Sequence, residues 1–247
     1  MDSTPLLFLS AAVFIAGTLQ AATGIGFGLI GGPALLTQVA ASDALITSGL
    51  LSAGIAIILI PKLRKQIAWP DLKRLCLGGL AGLPVGAAVF ALAGGVALKA
   101  GAAMMVLFAF SMLFIPIKNG TGPAPKTGLA VGFISGVLAV GLSMPGPVAA
   151  AYMMREGHQK AAVRATILAF FLPSYAAALS LQIFLSREIE TDWSIALWLA
   201  PGTLAGIVIG QLLSSRLSEH AFRLALQIVL AATIVSLLFS AIGDIAP

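Results

Sequence analysis

Charged residues are so sparse in this chain that long stretches contain none, and six of these stretches are each about 20 residues long, the length of one membrane crossing. Only 9% of the 247 residues are charged and 59% are hydrophobic, whereas a soluble domain carries about 25% charged residues. The sequence therefore predicts an all-α polytopic membrane protein. The predicted transmembrane helices lie near residues 44–61, 75–98, 100–117, 163–186, 193–215 and 222–243.

Two further uncharged segments, 5–41 and 127–154, are too long for one crossing, and glycine and proline interrupt both. The first contains "GIGFGLIGGP" (24–33) and the second contains "GLSMPGP" (141–147). These residues break helices, and irregular backbone inside a membrane must be shielded by protein or line a cavity. Both segments are therefore predicted to be broken helices that enter and leave the membrane as hairpins.

The chain also contains an internal repeat. Residues 69–86 align without gaps on residues 193–210, and the two broken segments occupy equivalent places upstream. We infer a first half, 1–117, a polar linker, 118–126, and a second half, 127–247.

The distribution of the 14 Lys and Arg residues indicates the orientation of the segments. If all eight segments simply cross, eight of these cations lie on one side and six on the other. If the broken segments are hairpins, only Lys99 and Arg187 lie outside, which agrees with the enrichment of Lys and Arg in cytoplasmic loops. The hairpin arrangement makes the halves inverted repeats, as in many secondary transporters. The alternative is eight simple crossings with parallel 4+4 halves.

The glycines support two different roles. Gly26, Gly28 and Gly31 spell the dinucleotide-binding pattern G-x-G-x-x-G, but no strand precedes it and no suitably placed acidic residue follows, so a nucleotide site is rejected. Two other sets have the spacing that lets membrane helices approach closely, and we expect them to serve packing. They are the first glycine set (Gly78, Gly82, Gly86) and the second glycine set (Gly202, Gly206, Gly210).

Matched interruptions in the two halves of a transporter point to its substrate site. The N-terminus of each half-helix exposes unpaired N–H groups and about half a positive charge, so two such ends suit a small anion. Arg164, which opens the sixth apolar segment, suits a bidentate contact with a carboxylate or sulfonate. The candidate substrate-binding residues are Gln20, Thr23, Gly24, Gly26, Gly28, Gly31, Gly32, Pro33, Ser48, Ser135, Ser143, Pro145, Gly146, Pro147, Arg164 and Thr166.

The motifs resemble a known family. "GIGFGLIGGP" in the first segment, "VGLSMPGP" in the fifth and Arg164-x-Thr166 opening the next are similar to the TauE/SafE family of sulfite-exporter-like transporters. The resemblance implies eight membrane segments from a duplicated half, and transport of small sulfur-containing or carboxylate anions, mostly outward across the bacterial inner membrane. One departure is that the first half has no arginine equivalent to Arg164, only the hydroxyls of "DALITSG". If a dianion needs two arginines, this chain favours a monoanion.

Other functions remain as alternatives. A channel would use the paired breaks as a filter without alternating access, and an intramembrane serine protease would use Ser143 with His158, although the G-x-S-x-G setting is absent. We expect no enzyme activity, no metal site, no cofactor and no nucleic-acid partner. The expected partners are the lipid bilayer, a small anion and protons as coupling ion. His158 is either a proton relay or an ordinary solvated loop histidine.

Overall fold

The computed structural model describes residues 3–92, 125–185 and 192–216, with isolated positions beyond. The regular structure in these ranges is helical. The first half forms α1 (Ser3–Thr23), α2 (Phe27–Leu36), α3 (Ala41–Leu63), a 3₁₀ turn (Arg64–Gln66) and α4 (Trp69–Leu92). The second half forms α5 (Pro125–Leu142), α6 (Gly146–Arg155), α7 (Lys160–Leu185) and α8 (Trp193–Arg216).

Within the described residues, five helical segments are long and apolar enough to cross a membrane, which confirms the prediction of a polytopic helical membrane protein. They are Leu6–Thr23, Ser42–Gln66, Trp69–Val89, Lys160–Phe184 and Trp193–Arg216. The predicted crossing 100–117 and nearly all of 222–243 lie outside the described residues.

The helix α4 begins at Trp69, ahead of the predicted start at residue 75. Charged residues in its first turns pair with one another, since Arg74 Nη1 lies 3.2 Å from Asp71 Oδ1 one turn earlier. Such i, i+3 pairs stabilise a helix, so charge ends the apolar run here without ending the helix.

Both glycine sets lie where two helices touch, which confirms their packing role. A Cβ at Gly82 would overlap the carbonyl oxygen of Phe133 on α5. A Cβ at Gly206 would lie 2.5 Å from the carbonyl oxygen of Phe14 on α1. Only glycine allows these backbones to approach so closely.

The two halves are interleaved in the described part of the chain. The long helix α4 packs along α5, and α8 packs along α1, so each lies against the broken segment of the other half. The helices α3 and α7 pack on each other and join the two pairs, because α7 also contacts α4 and α3 also contacts α8. The broken segments are therefore held from both halves.

Polar and apolar side chains are distributed as a bilayer requires. Leu197 and Trp198 on the outer face of α8 are 75% and 71% exposed, whereas Gln20 and Gln182 are 0% exposed. Lipid accommodates the apolar exterior, and buried polar groups inside a membrane protein mark functional regions. Several of the buried polar groups lie at the two breaks, among them Gln20, Thr23, Ser52, Ser143 and Gln182.

Candidate functional site

The first break is built by two glycines. Gly24 has φ +88° and Gly26 has φ +140°, conformations that other residues rarely adopt. The Thr23 hydroxyl closes the end of α1, since it lies 2.7 Å from the carbonyl oxygen of Leu19 and 2.6 Å from that of Ile25. Thr23 thus stabilises the break through the backbone.

The second break turns at Ser143, which has φ +52°. Its hydroxyl donates to the carbonyl oxygen of Leu45 at 2.8 Å, and its carbonyl accepts from the Tyr175 hydroxyl at 3.1 Å. Gln182 Nε2 donates to the carbonyl oxygen of Val140 at 2.7 Å. Side chains of α7 thus satisfy backbone carbonyls that the end of α5 leaves free.

The two breaks lie directly against each other. A Cβ at Gly28 would lie 2.8 Å from the carbonyl oxygen of Ser143, and one at Gly146 would lie 2.8 Å from Cγ2 of Ile25. The Phe171 ring covers Gly146 from α7, with Cζ 2.7 Å from the same Cβ position. Glycine at these positions is therefore what allows the two breaks to touch.

A cavity of ≈ 10 Å³ remains between the breaks, which is the space of about one water molecule. It is lined by Gln20, Ile25, Gly26, Gly28, Leu29, Met144, Gly146, Pro147, Phe171 and Tyr175. None of these lining side chains is charged. A sulfonate or carboxylate does not fit until the breaks move apart.

The N-termini of α2 and α6 both face this cavity. Gly26 and Pro145 precede these helices, and neither caps its helix with a side-chain hydrogen bond. Both helix dipoles therefore present their positive ends to the cavity without a capping side chain from Gly26 or Pro145. The cavity is suited to a small anion without a charged side chain.

Three predicted residues, Gln20, Ser48 and Ser135, are buried hydrogen-bonding groups, and Gln20 lines the cavity. Gln20 lines it and is fixed by Ser52, whose hydroxyl donates to Gln20 Oε1 at 2.9 Å. The hydroxyls of Ser48 and Ser135 are buried and have no hydrogen-bond partner. A Cβ at Gly32 would lie 3.6 Å from Ser48 Oγ, an ordinary contact.

The predicted residues that do not line the cavity include Gly31, Pro33 and Thr166. Gly31 packs under the Phe27 ring within α2, and Pro33 lies inside the same helix. The Thr166 hydroxyl accepts a hydrogen bond from the backbone N–H of Ala68 at 2.9 Å. Thr166 therefore anchors the connection that precedes α4.

The Arg164 side chain does not reach the cavity between the breaks. Its backbone packs on the first break, since a Cβ at Gly24 would lie 2.9 Å from Arg164 Cα. Its Nη1 donates to Ser214 Oγ at 2.8 Å. The side chain lines a separate pocket of ≈ 250 Å³, together with Ala22, Leu63, Gln66, Lys160, Ala161, Ser214 and Ser215. We call it the Arg164 pocket.

Two groups of residues at the breaks were not predicted from the sequence. The apolar lining (Ile25, Leu29, Met144, Phe171) carries no signal that separates it from core. Ser52 and Gln182, which fix the polar groups at the breaks, were visible as uncharged polar residues inside apolar segments.

The fold and the site define a polytopic helical membrane protein in which two broken segments meet at a buried, uncharged cavity bordered by helix N-termini. The family described as Sulfite exporter TauE/SafE matches residues 9–237, nearly the whole chain, and the chain belongs to this family. The resemblance seen in the sequence is thereby confirmed. No curated protein and no solved structure matches the chain.

Proposed function

We propose that the chain is a secondary transporter for small organic or sulfur-containing anions, such as sulfite, sulfoacetate, other organosulfonates and short carboxylates. It exports them across the bacterial inner membrane by alternating access. Family membership supports transport of small anions. The observation that carries the proposal is the pair of helix N-termini facing one cavity.

The anion binds between the breaks after they separate. The N–H groups of α2 and α6 then bind its oxygens, and Gln20 and the hydroxyls of Ser48 and Ser135 supply further hydrogen bonds. Contact between the breaks around so small a cavity represents the closed, empty state. Because both breaks move away from the cavity that they share, each side of the membrane gains access to this cavity in turn.

Arg164 is the charge partner of the anion as it approaches the breaks. The Arg164 pocket places this guanidinium beside Lys160, and Ala22 connects the pocket to the end of α1 next to the first break. The pocket lies on the side that the Lys and Arg distribution assigns to the cytoplasm. An anion leaving the cell therefore meets Arg164 first.

The two halves act as inverted repeats with hairpin broken segments. The charge distribution supports this arrangement, and so does the equivalent packing of α4 on α5 and α8 on α1. Movement of the broken segments against the helices α3 and α7 supplies the two access states.

Thermal stabilisation of the purified protein tests the proposal. Sulfite, sulfoacetate, thiosulfate and acetate are titrated against wild type, Arg164→Ala and the control Arg216→Ala, which changes an exposed arginine at the end of α8. A ligand that binds the native state raises the unfolding midpoint. We expect a concentration-dependent rise for one of the anions in wild type and control, and a weaker rise in Arg164→Ala. Equal responses would refute the role of Arg164, and no response to any anion would contradict the anion site.

A further inference from the structure

A second polar cluster joins the two halves at the opposite end of α6 from the cavity. The Asp71 carboxylate on α4 is 4% exposed, and His158 Nε2 lies 3.0 Å from its Oδ2. Its other oxygen, Oδ1, lies 3.2 Å from Arg74 Nη1 and accepts from the Tyr152 hydroxyl at 3.4 Å. His158 is therefore a partner of a buried carboxylate, not a solvated loop residue.

The local sequence fixes His158 in this position. After α6, Gly157 has φ +82° and its N–H donates to the carbonyl oxygen of Met154 at 3.1 Å, while the His158 N–H donates to that of Met153 at 3.2 Å. This pair of bonds is the Schellman ending of a helix, for which glycine is required. The imidazole thus moves with α6.

We propose that Asp71 and His158 form the binding site for the proton that drives transport, an inference that rests on the proposed function. Imidazole is the side chain whose charge ordinarily changes between pH 5 and pH 8. The ring is not aligned for a linear hydrogen bond to Asp71, although the two atoms are at ion-pair distance. The strength of this contact therefore depends on the charge of the ring, and hence on a bound proton.

The helix α6 connects the proton site to the anion site. It spans ten residues, Gly146–Arg155, which is about 15 Å at 1.5 Å per residue. Its N-terminus borders the cavity, and its C-terminal turn carries His158 against α4 of the other half. When α6 withdraws from α2 to admit an anion, the contact with Asp71 changes, so occupancy by proton and by anion are linked reciprocally.

Other charged and titratable groups approach Asp71 and His158 from the neighbouring helices. On α4, Arg74 forms an ion pair with the Asp71 carboxylate. On α6, the Tyr152 hydroxyl donates a hydrogen bond to the same carboxylate, and Glu156, in the turn that follows α6, interacts electrostatically with Tyr152. The helix α5 approaches with Gly128, where a Cβ would lie 3.1 Å from the Tyr152 hydroxyl. A proton on His158 thus adds a positive charge at the start of α7, the helix that carries Arg164.

Transport of radiolabelled sulfoacetate in proteoliposomes tests the site with His158→Gln, Asp71→Asn and the control His220→Gln, an exposed histidine. Counterflow exchange at equal pH tests the transporter itself and is expected in all four proteins. A gradient of one pH unit, with the membrane potential clamped, is then applied. Wild type and His220→Gln should accumulate the label up to about tenfold, the limit for one coupled proton. Both site variants should only equilibrate it.

Accumulation by His158→Gln, or a wild type that exchanges but ignores the gradient, would overturn the proposal. If no protein exchanges sulfoacetate, the proposed function fails for this anion, and the thermal midpoint in detergent decides the proton site separately. The difference between the thermal midpoints at pH 5.5 and pH 8 should be larger in wild type and His220→Gln than in His158→Gln. Equal changes would refute the site. If Asp71→Asn does not fold, the result for His158→Gln alone decides whether the proposal stands.

Discussion

The substitution Gly28→Ala places one methyl group where the two breaks touch. Its Cβ would lie 2.8 Å from the Ser143 carbonyl oxygen and 2.9 Å from Met144 Cγ. The methionine side chain can rotate away, but the Ser143 carbonyl is backbone held by Tyr175. The breaks must therefore separate by a few tenths of an ångström or more before the closed state forms.

The expected cost to the closed state is about 1–3 kcal/mol, the usual range for overpacking. Net efflux returns the empty carrier through this closed state, and since about 1.4 kcal/mol is a factor of ten, the net efflux rate should fall about 5- to 140-fold. Replacing a helical glycine by alanine returns about 0.5–1 kcal/mol of folding free energy, so the thermal midpoint should change less than the transport rate. Measuring both the thermal midpoint and the transport rate therefore separates an effect on overall folding from an effect on transport.

The matched control is Gly32→Ala in the same helix, where the Cβ would make only an ordinary contact, 3.6 Å from Ser48 Oγ. We expect its net efflux of labelled sulfoacetate from proteoliposomes to stay within about twofold of wild type, because no backbone contact changes. If net efflux through Gly28→Ala is as fast as through Gly32→Ala, contact between the breaks is not part of the transport cycle. A Gly28→Ala protein that instead leaks anion without saturation would identify a channel.

Three further substitutions and one control, Gly54→Ala, test the packing and the breaks by thermal unfolding in detergent. Gly82→Ala should cost about 1–3 kcal/mol because its Cβ meets a backbone carbonyl, whereas Gly54→Ala, with no atom within 4 Å, should be neutral or stabilising; equal midpoints would refute close packing. Gln182→Leu should cost about 1–3 kcal/mol because it leaves the buried Val140 carbonyl unpaired, and an unchanged midpoint would contradict this. Gly24→Ala should lower the midpoint through strain at φ +88°, and a higher midpoint would show that the break relaxes freely.

Much of the fold could be predicted because the bilayer imposes simple rules on sequence. Segments without charge predicted the long helices, and glycine with proline predicted the breaks at Gly24–Gly26 and Ser143–Pro145. Glycine spacing predicted which helix faces pack closely, but not which helix each face packs against. That α4 lies on α5, and α8 on α1, depends on contacts between distant residues that no local pattern encodes.

The site was predicted in part, for a similar reason. The positions of backbone groups at the breaks follow from local sequence, and the predicted residues Gly26, Gly28 and Gly146 do line the cavity. The direction of a long side chain does not, and Arg164 points to Ser214 instead of the cavity. The pairing of His158 with Asp71 joins two halves of the chain and was likewise invisible.

Protection of a cysteine introduced between the breaks shows whether the anion binds there. Met144→Cys is made in a Cys76→Ser background, since Cys76 is the single native cysteine. Its modification by a charged thiol reagent is followed in proteoliposomes with increasing sulfoacetate, next to the control Arg216→Cys, which changes an exposed residue at the end of α8. We expect sulfoacetate to slow modification at position 144 alone, with half-protection at the concentration that half-saturates exchange. Saturating exchange with no protection of Met144→Cys would contradict binding between the breaks.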